Sequence, residues 1–311
     1  MKTYERRAFL KSAMAAGAAV SMVPGMVLPA ELNRSLNDSR KVTKMRFAVE
    51  LGTIGDRSFE DAIKHCQNLG IDAISVQWGR VPGFSEKGYV ETAGLKTMGK
   101  QLEDTGLAFS AMAGAMPLAI TEDSAEGKTL LDNVRRSMES MATVNAKIIT
   151  FPPLSGNTPW TQIVLFYGKL TEQAEQYGIR LATQTHGFFR NYDVISRLLK
   201  DVPSASNGFT FCTGNMWLGE GEKIYDLTRQ LKDRIFFMHI RNVKTGLGEK
   251  EFWLDEGNID YPKFVKVLKE IDYRYDLRSE HLPTDHYGQP MASDLSSAWA
   301  LGYFKALIQT V

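Results

Sequence analysis

Eight short apolar runs alternate with amphipathic helical patterns along this chain, and this alternation restricts the fold more than any other feature. The runs recur roughly 33 residues apart, about the length of one strand–helix unit. Strands that alternate with helices pair in parallel through right-handed crossovers. Eight such units predict an α/β fold closed into a (β/α)8 TIM barrel, with an open doubly wound sheet as the alternative.

The apolar runs predict strands at 47–51, 71–76, 107–112, 148–151, 179–183, 209–212, 235–240 and 275–279. Gly70 and Gly178 stand where helical patterns stop, so each is predicted to end a helix. The polar, glycine-rich segment 79–88 predicts a loop. No dinucleotide-binding fingerprint follows the first strand, because Gly52 and Gly55 lack its spacing and its tight turn into a helix.

Composition places the chain among ordinary globular proteins, with 43% apolar and 23% charged residues. The 37 basic and 36 acidic residues leave a formal charge of +1, which argues against nucleic acid as a partner. The two cysteines, Cys66 and Cys212, do not form a disulfide framework. Cys66 lies on the apolar stripe of a predicted helix, where a buried, inert thiol is expected.

The beginning of the chain resembles a twin-arginine export signal. Arg6 and Arg7 are followed by phenylalanine, leucine and lysine, and then by a mildly apolar stretch. Pro24 and several glycines argue against a membrane-spanning helix, so we expect no stable membrane anchor. The predicted domains are a signal peptide over 1–30, a linker over 31–44 and a single barrel domain over 45–311. A periplasmic or extracellular location follows.

Side chains suited to binding a metal or moving protons stand where the predicted strands five to eight end. In a barrel these strand ends meet at one face, whatever their separation in sequence. Imidazole, thiolate and carboxylate groups together suit a divalent transition metal. The candidate ligands are Gln184, His186, Cys212, His239 and Glu280. The candidate substrate-binding residues are Arg241, Asn242, Lys244 and Asp285, and Arg278 adds positive charge for an anionic substrate.

Three motifs then resemble the mannonate dehydratase family of the xylose-isomerase-like barrel superfamily. They are Phe211-Cys212-Thr213-Gly214, His239-Ile240-Arg241-Asn242-Val243-Lys244 and Arg278-Ser279-Glu280-His281, the last similar to an Arg-Pro-Asp-His motif. A fourth segment, Gly257-Asn258-Ile259-Asp260, also fits. The family's tryptophan-tyrosine motif near the N-terminus and its long insertion after strand four are missing here.

The resemblance implies a divalent metal, usually Mn²⁺, although Zn²⁺, Co²⁺ or Fe²⁺ would suit the same ligand types. Cys212, His239 and Glu280 take the family's ligand positions. The remaining ligand position falls on Gln184 by register, whereas His186 is the better ligand by its chemistry, and both stay candidates.

The resemblance also implies a lyase of carbohydrate metabolism that removes water from an aldonate by proton abstraction next to the carboxylate. His281, Glu280 and Arg278 would be its catalytic residues. One alternative is a metal-dependent sugar isomerase or epimerase of the same superfamily. Another is a non-catalytic, extracytoplasmic carbohydrate-binding protein. The expected partner in each case is a small sugar or sugar acid, and the oligomeric state, including a homo-oligomer, stays open.

Overall fold

A closed barrel of eight parallel strands forms the centre of the structure, which confirms the predicted (β/α)8 fold. The computed structural model describes residues 45–311 apart from 55–56, 115–123, 284, 287–288 and 291. The predicted signal peptide and linker lie outside the described residues. The barrel strands are β1 (Arg46–Glu50), β2 (Ala73–Gln77), β3 (Ala108–Ala113), β4 (Ile148–Phe151), β5 (Arg180–Gln184), β6 (Asn207–Cys212), β7 (Ile235–Ile240) and β8 (Asp276–Ser279).

Helices connect the strands, and glycine or short polar side chains delimit many of them. They are α1 (Phe59–Leu69), α2 (Phe84–Lys87), α3 (Thr92–Leu102), α4 (Ala125–Ala142), α5 (Trp160–Tyr177), α6 (Tyr192–Asp201), α7 (Thr213–Glu220), α8 (Ile224–Gln230), α9 (Tyr261–Glu270) and α10 (Ser293–Thr310). Gly70 and Gly178 end α1 and α5 in the left-handed conformation, as predicted. Two short strands, β9 (Asp285–His286) and β10 (Gln289–Pro290), pair beside the barrel.

Two helices were not predicted from the sequence. The helix α2 lies inside the segment predicted as a loop. The helix α7 begins directly after β6, so Cys212 is both the last residue of the strand and the N-cap of the helix. Its first three residues, Thr213, Gly214 and Asn215, are poor helix formers, which explains why the pattern gave no signal. This immediate strand-to-helix turn holds Cys212 at the carboxyl end of the barrel.

The seam between β1 and β8 closes the barrel, and ion pairs stand at both ends of it. At one end the guanidinium of Arg46 contacts Asp276 twice, with Nε 2.6 Å from Oδ1 and Nη2 3.0 Å from Oδ2. At the other end Glu50 pairs with Arg278. Both ion pairs join residues of β1 and β8 that are far apart in the sequence. They therefore stabilise the closed barrel relative to an open sheet.

The apolar core divides into two clusters. The larger one packs the strands against the surrounding helices and includes alternate strand residues such as Phe47 and Val49. The smaller one contains Ala48, which lies between Phe47 and Val49 in the sequence, together with Ala73, Ala111, Ala182, Phe236 and Phe237. Because strand side chains alternate in direction, Ala48 points to the opposite side of the sheet from its neighbours. Among the described residues no helix is both long and apolar enough to cross a membrane.

Gly208 in β6 provides a test of this packing. A Cβ at this position would lie 2.5 Å from the carbonyl oxygen of Arg234 and closer still to the Phe236 ring. We expect Gly208→Ala to lower the free energy of unfolding by about 1–3 kcal/mol, because the neighbouring strand must shift. Gly168→Ala is the control, since its Cβ meets nothing within 4 Å, and alanine in α5 should be neutral or stabilising. Urea denaturation of both variants checks this, and equal stabilities would contradict the packing.

Candidate metal centre

Three ligand-type side chains converge at the carboxyl end of the barrel. His186, His239 and Glu280 each offer one ligand atom, and these atoms all lie within 4.8 Å of one another. His239 Nδ1 is 2.8 Å from Glu280 Oε1, and His186 Nε2 is 4.0 Å from Glu280 Oε2. His186 follows β5, His239 lies at the end of β7, and Glu280 follows β8. The closed barrel alone brings these three residues together.

The imidazole nitrogens of this cluster fit a divalent cation. Among the described residues, His186 Nε2 and His239 Nε2 are buried without a hydrogen-bond partner, an expensive state for a polar atom. Two imidazoles and one carboxylate are donors that Mn²⁺, Fe²⁺, Co²⁺ and Zn²⁺ all accept. Burial lowers the pKa of His186, and although Glu280 opposes this shift, the net effect favours the neutral form that binds metals.

Glu280 is charged in spite of its burial. Burial by itself raises the pKa of this carboxyl, but the electrostatic interaction and hydrogen bond of His239, together with the influence of Arg278 and His281, outweigh that effect. The pKa of Glu280 therefore lies well below its usual value. A carboxylate rather than a carboxylic acid stands at the centre of the cluster.

Cys212 adjoins the cluster through Glu280. Its Sγ lies 3.4 Å from Glu280 Oε2 and accepts a hydrogen bond from Asn215 Nδ2 at 3.0 Å. The backbone N–H of Cys212 donates to Thr185 Oγ1 at 2.9 Å, which joins the ends of β5 and β6. Burial, and then the charge of Glu280, raises the pKa of the Cys212 thiol. In the absence of a cation the thiol is therefore protonated, and a bound cation would favour the thiolate.

The two candidates from β5 differ in position. His186 places its Nε2 within the cluster, whereas Gln184 is the last residue of β5 and is half-buried. Gly187 follows His186 with a φ of +54°, a backbone conformation that glycine adopts readily, and it begins the short helical turn Gly187–Arg190. This turn directs the imidazole towards Glu280, so the geometry favours His186 as the ligand from β5.

Arg278, predicted as a catalytic and carboxylate-binding residue, is committed to internal carboxylates. It is buried, pairs with Glu50 and lies 3.5 Å from Glu280 Oε1 through Nη2. Gln77 donates to the other oxygen of Glu50, which completes a polar chain across the ends of β1, β2 and β8. The physical reason is local charge balance, since two buried carboxylates require a cation between them. These contacts place Arg278 between Glu50 and Glu280, and its catalytic role stays a prediction.

Arg241 continues from β7 and lies against the first turn of α7. Thr213 Oγ1 accepts from the N–H of Arg241 at 3.0 Å and donates to its carbonyl oxygen at 2.8 Å. A Cβ at Gly214 would lie 2.7 Å from Arg241 Cγ, so only glycine leaves room for this side chain. The guanidinium Nη2 is 2.7 Å from Glu251 Oε1 and donates to the carbonyl oxygen of Glu249 at 3.1 Å. Arg241 therefore reaches the site already paired with a loop carboxylate.

Asn242 and Lys244, both predicted to bind substrate, contact the loop that follows β7. The Asn242 amide donates to the carbonyl oxygens of Leu254 and Ile259 and accepts from the N–H groups of Val243 and Ile259. These four bonds use the whole capacity of an amide and leave nothing for a ligand. Lys244 Nζ lies 4.3 Å from the centroid of the Phe252 ring.

His281 faces outward beside the cluster. Its Nε2 is 3.8 Å from Glu280 Oε1, its side chain is 55% exposed, and its φ of +49° is unusual for a residue with a Cβ. Burial lowers the pKa of His281, with Glu280 opposing and Arg241 reinforcing the shift. The backbone of Asp285 lies in β9, but its side chain, and with it the predicted substrate contact, falls outside the described part of the structure.

Sequence analysis did not single out Glu251, Gln77 or Asn215 among the polar residues at this end of the barrel. Asn215 could have been found from its place three residues after Cys212, had α7 been predicted. Gln77 directly follows a predicted strand, as Gln184 does, and so carries the same signal. Glu251 lies in an irregular loop without periodicity, so no sequence pattern marks it.

Comparison with known proteins agrees with this architecture. The profile of the xylose isomerase-like TIM barrel family matches residues 59–278, most of the barrel. The chain belongs to that family. Relatives of this xylose isomerase-like barrel include mannonate dehydratase 1 of Halalkalibacterium halodurans, 25% identical over 242 residues that cover 72% of this chain and 64% of that protein. The chain spans only 49% to 64% of the length of the first two mannonate dehydratases that it matches.

Solved structures share the fold at low identity. The mannonate dehydratase of Streptococcus suis serotype 2 superposes with a TM-score of 0.69 and 18% identity, covering 85% of this chain and 94% of that one. D-psicose 3-epimerase of Clostridium cellulolyticum H10 superposes with a TM-score of 0.67 and 12% identity, covering 85% and 99%. A dehydratase and an epimerase thus share this barrel, and identities this low speak for the fold alone.

Metal content tests the candidate centre directly. We expect wild-type protein, purified without chelators and supplied with Mn²⁺ or Zn²⁺, to hold about one equivalent by elemental analysis. His239→Ala and Cys212→Ala should each weaken binding more than about 100-fold, since even outer-shell changes cost 10–100-fold. His65→Ala and Cys66→Ala, which change the same residue types in α1, are the controls and should retain the metal. If His239→Ala retains the metal fully, the candidate site is refuted. If Cys212→Ala retains it fully, the thiol is not one of the ligands.

Proposed function

We propose that this protein is a metal-dependent lyase that removes water from an aldonate, as its mannonate dehydratase relatives are named to do. The observation that carries the proposal is the convergence of His186, His239 and Glu280, with Cys212 beside Glu280, at the carboxyl face of the barrel. The ligand set proposed is these four residues. This combination agrees with the ligand types implied by the family resemblance, apart from glutamate in place of aspartate.

A bound divalent cation would act as a Lewis acid and stabilise negative charge that develops on substrate oxygens. We assign the abstraction of the proton next to the carboxylate to His281, and its exposed imidazole, with Nε2 3.8 Å from Glu280 Oε1, supports this assignment. Loss of the hydroxyl on the following carbon then gives an enol, which rearranges to a keto-deoxy acid. Glu50, Arg278 and Gln77 hold Glu280 in position from behind.

A sugar isomerase or epimerase is the second candidate, and one observation favours it. Both arginines predicted to bind a substrate carboxylate are paired internally, Arg278 with Glu50 and Glu280, and Arg241 with Glu251. A neutral sugar needs no free guanidinium, so such a site accepts it without changing any ion pair. Proton transfer next to a carbonyl group would use the same cation and the same imidazole.

Product analysis separates these functions. Metal-loaded protein is assayed with aldonates, including D-mannonate, and with aldoses and ketoses in D2O. We expect aldonates to yield a keto-deoxy acid that carries deuterium on the carbon that lost the hydroxyl. Rearranged or epimerised neutral sugars with deuterium at the altered carbon would instead establish the second candidate. Tight binding of sugars with neither product would favour a non-catalytic carbohydrate-binding protein.

The role of His281 has its own test. His281→Gln should lower kcat by about 100-fold to 10,000-fold, the usual contribution of a general base, while metal content stays at the wild-type level. His65→Gln is the matched control and should leave kcat unchanged, because His65 lies in α1 and pairs with Asp294 of α10. An unchanged kcat in His281→Gln would assign the proton transfer to another group.

We also propose that the chain is exported by the twin-arginine route, on the basis of Arg6 and Arg7 and the apolar stretch that follows. This route carries folded proteins, so the metal could be bound before export. Replacing both arginines by lysine should keep the protein in the cytoplasm, whereas the wild type should appear in the periplasmic or extracellular fraction. Lys11→Arg is the control, and an unchanged distribution of the double variant would refute the signal.

A further inference from the structure

Arg241 and Glu251 form an ion pair beside the candidate metal centre that the proposed reaction does not use. Arg241 is 3% exposed, and its Nη2 lies 2.7 Å from Glu251 Oε1. Arg241 follows His239 by two residues, and its backbone is hydrogen-bonded on both sides to Thr213, the residue after Cys212, so it lies beside the cluster. A guanidinium in this place is the natural partner of a substrate carboxylate, and here a carboxylate of the chain itself takes that position.

The pair is incompletely satisfied on both sides. Among the described residues, Nε of Arg241 is buried without a hydrogen-bond partner. On the side of Glu251, only Oε1 contacts the guanidinium, and Oε2 is buried without a hydrogen-bond partner among the described residues. Burial raises the pKa of Glu251 to about 7; Arg241 opposes this shift, while Glu280 and Glu249 add to it. A carboxylate with one oxygen unpaired is bound less firmly than one held through both oxygens, so another anion can replace it.

The backbone of the loop after β7 keeps Glu251 at this place. The N–H of Phe252, the next residue, donates to the carbonyl oxygen of Asn242 at 3.1 Å. The Asn242 amide binds the backbone at Leu254 and Ile259, and a Cβ at Gly257 would overlap that amide. Glu251 is therefore part of an anchored loop, whose backbone contacts keep the carboxylate within reach of Arg241.

The other cations predicted to bind a carboxylate are engaged elsewhere. Arg278 lies between Glu50 and Glu280, and Lys244 lies over the Phe252 ring. A sugar acid that binds Arg241 meets the negative charge of Glu251 on the same guanidinium, whereas a neutral sugar leaves the pair undisturbed. This difference is a property of the chain and does not depend on which reaction follows.

We propose that Glu251 is a specificity-determining residue, which occupies on Arg241 the position of an anionic substrate group and so disfavours sugar acids relative to neutral sugars. The inference rests on the proposed function only in that it requires a sugar or sugar-acid site at the metal centre, and it bears on the choice between the two candidate reactions. It predicts that removing the Glu251 charge raises the affinity for sugar acids relative to neutral sugars, although no new contact is created.

Binding measurements on the metal-loaded, full-length protein test this proposal. The probes are D-mannonate and D-mannitol, which share a carbon skeleton and differ in a terminal carboxylate or alcohol. By calorimetry, Glu251→Gln should bind D-mannonate about tenfold more tightly than the wild type does, the size of one charge-assisted hydrogen bond. Its affinity for D-mannitol should change less than about twofold. Glu249→Gln is the matched control, because its carboxylate pairs with Arg190, and it should change neither affinity.

A double variant locates the effect. Adding Arg241→Gln to Glu251→Gln should abolish the gain for D-mannonate. An unchanged ratio of the two affinities in Glu251→Gln, an equal gain in Glu249→Gln, or a gain that survives in the double variant would each overturn the proposal. Because binding needs no turnover, a shifted ratio in a protein without dehydratase activity would refute the proposed function alone. If the protein dehydrates aldonates but Glu251→Gln leaves the ratio of the two affinities unchanged, only the role of Glu251 is refuted.

Discussion

The buried negative charge of Glu280 is the interaction on which the rest of the site depends. Burial raises the pKa of this carboxyl, and it stays ionised only because His239, Arg278 and His281 surround it. Removing one partner from a buried charged pair typically costs about 3–5 kcal/mol, since the remaining charge is left uncompensated. A divalent cation would provide the same compensation more strongly, and it would also bind the Nε2 atoms of His186 and His239, which have no hydrogen-bond partner among the described residues.

The positive charges near Glu280 are balanced in pairs, and this balance bears on the substrate. Glu50 faces Arg278, and Glu251 faces Arg241. A sugar acid that binds Arg241 meets the negative charge of Glu251, whose second oxygen has no hydrogen-bond partner among the described residues. The same fold occurs in a dehydratase and in an epimerase, so the fold alone does not decide between acidic and neutral substrates.

The motifs that suggested the family also explain the construction of the site. In Cys212-Thr213-Gly214, the cysteine meets Glu280, the threonine holds the backbone of Arg241, and the glycine leaves room for the Arg241 side chain. In the segment that begins at Gly257, the glycine leaves room for the Asn242 amide in the same way. These residues are neighbours across β6, β7 and the loop after β7. The small residues of two motifs therefore make room for, or bind, the side chains and backbone of the motif that contains Arg241 and Asn242.

The sequence by itself determined the eight strands, most of the helices and the end of the barrel at which the candidate ligands stand, because apolar periodicity is a local property of the chain. It did not reveal α7, whose first residues are poor helix formers, or Glu251, which lies in an irregular loop. Only the tertiary structure decided that His186 meets His239 and Glu280, and that Arg241 and Arg278 already hold carboxylates. The physical reason is that distances and charge pairing between strands depend on barrel closure and on loop paths, which no local pattern encodes.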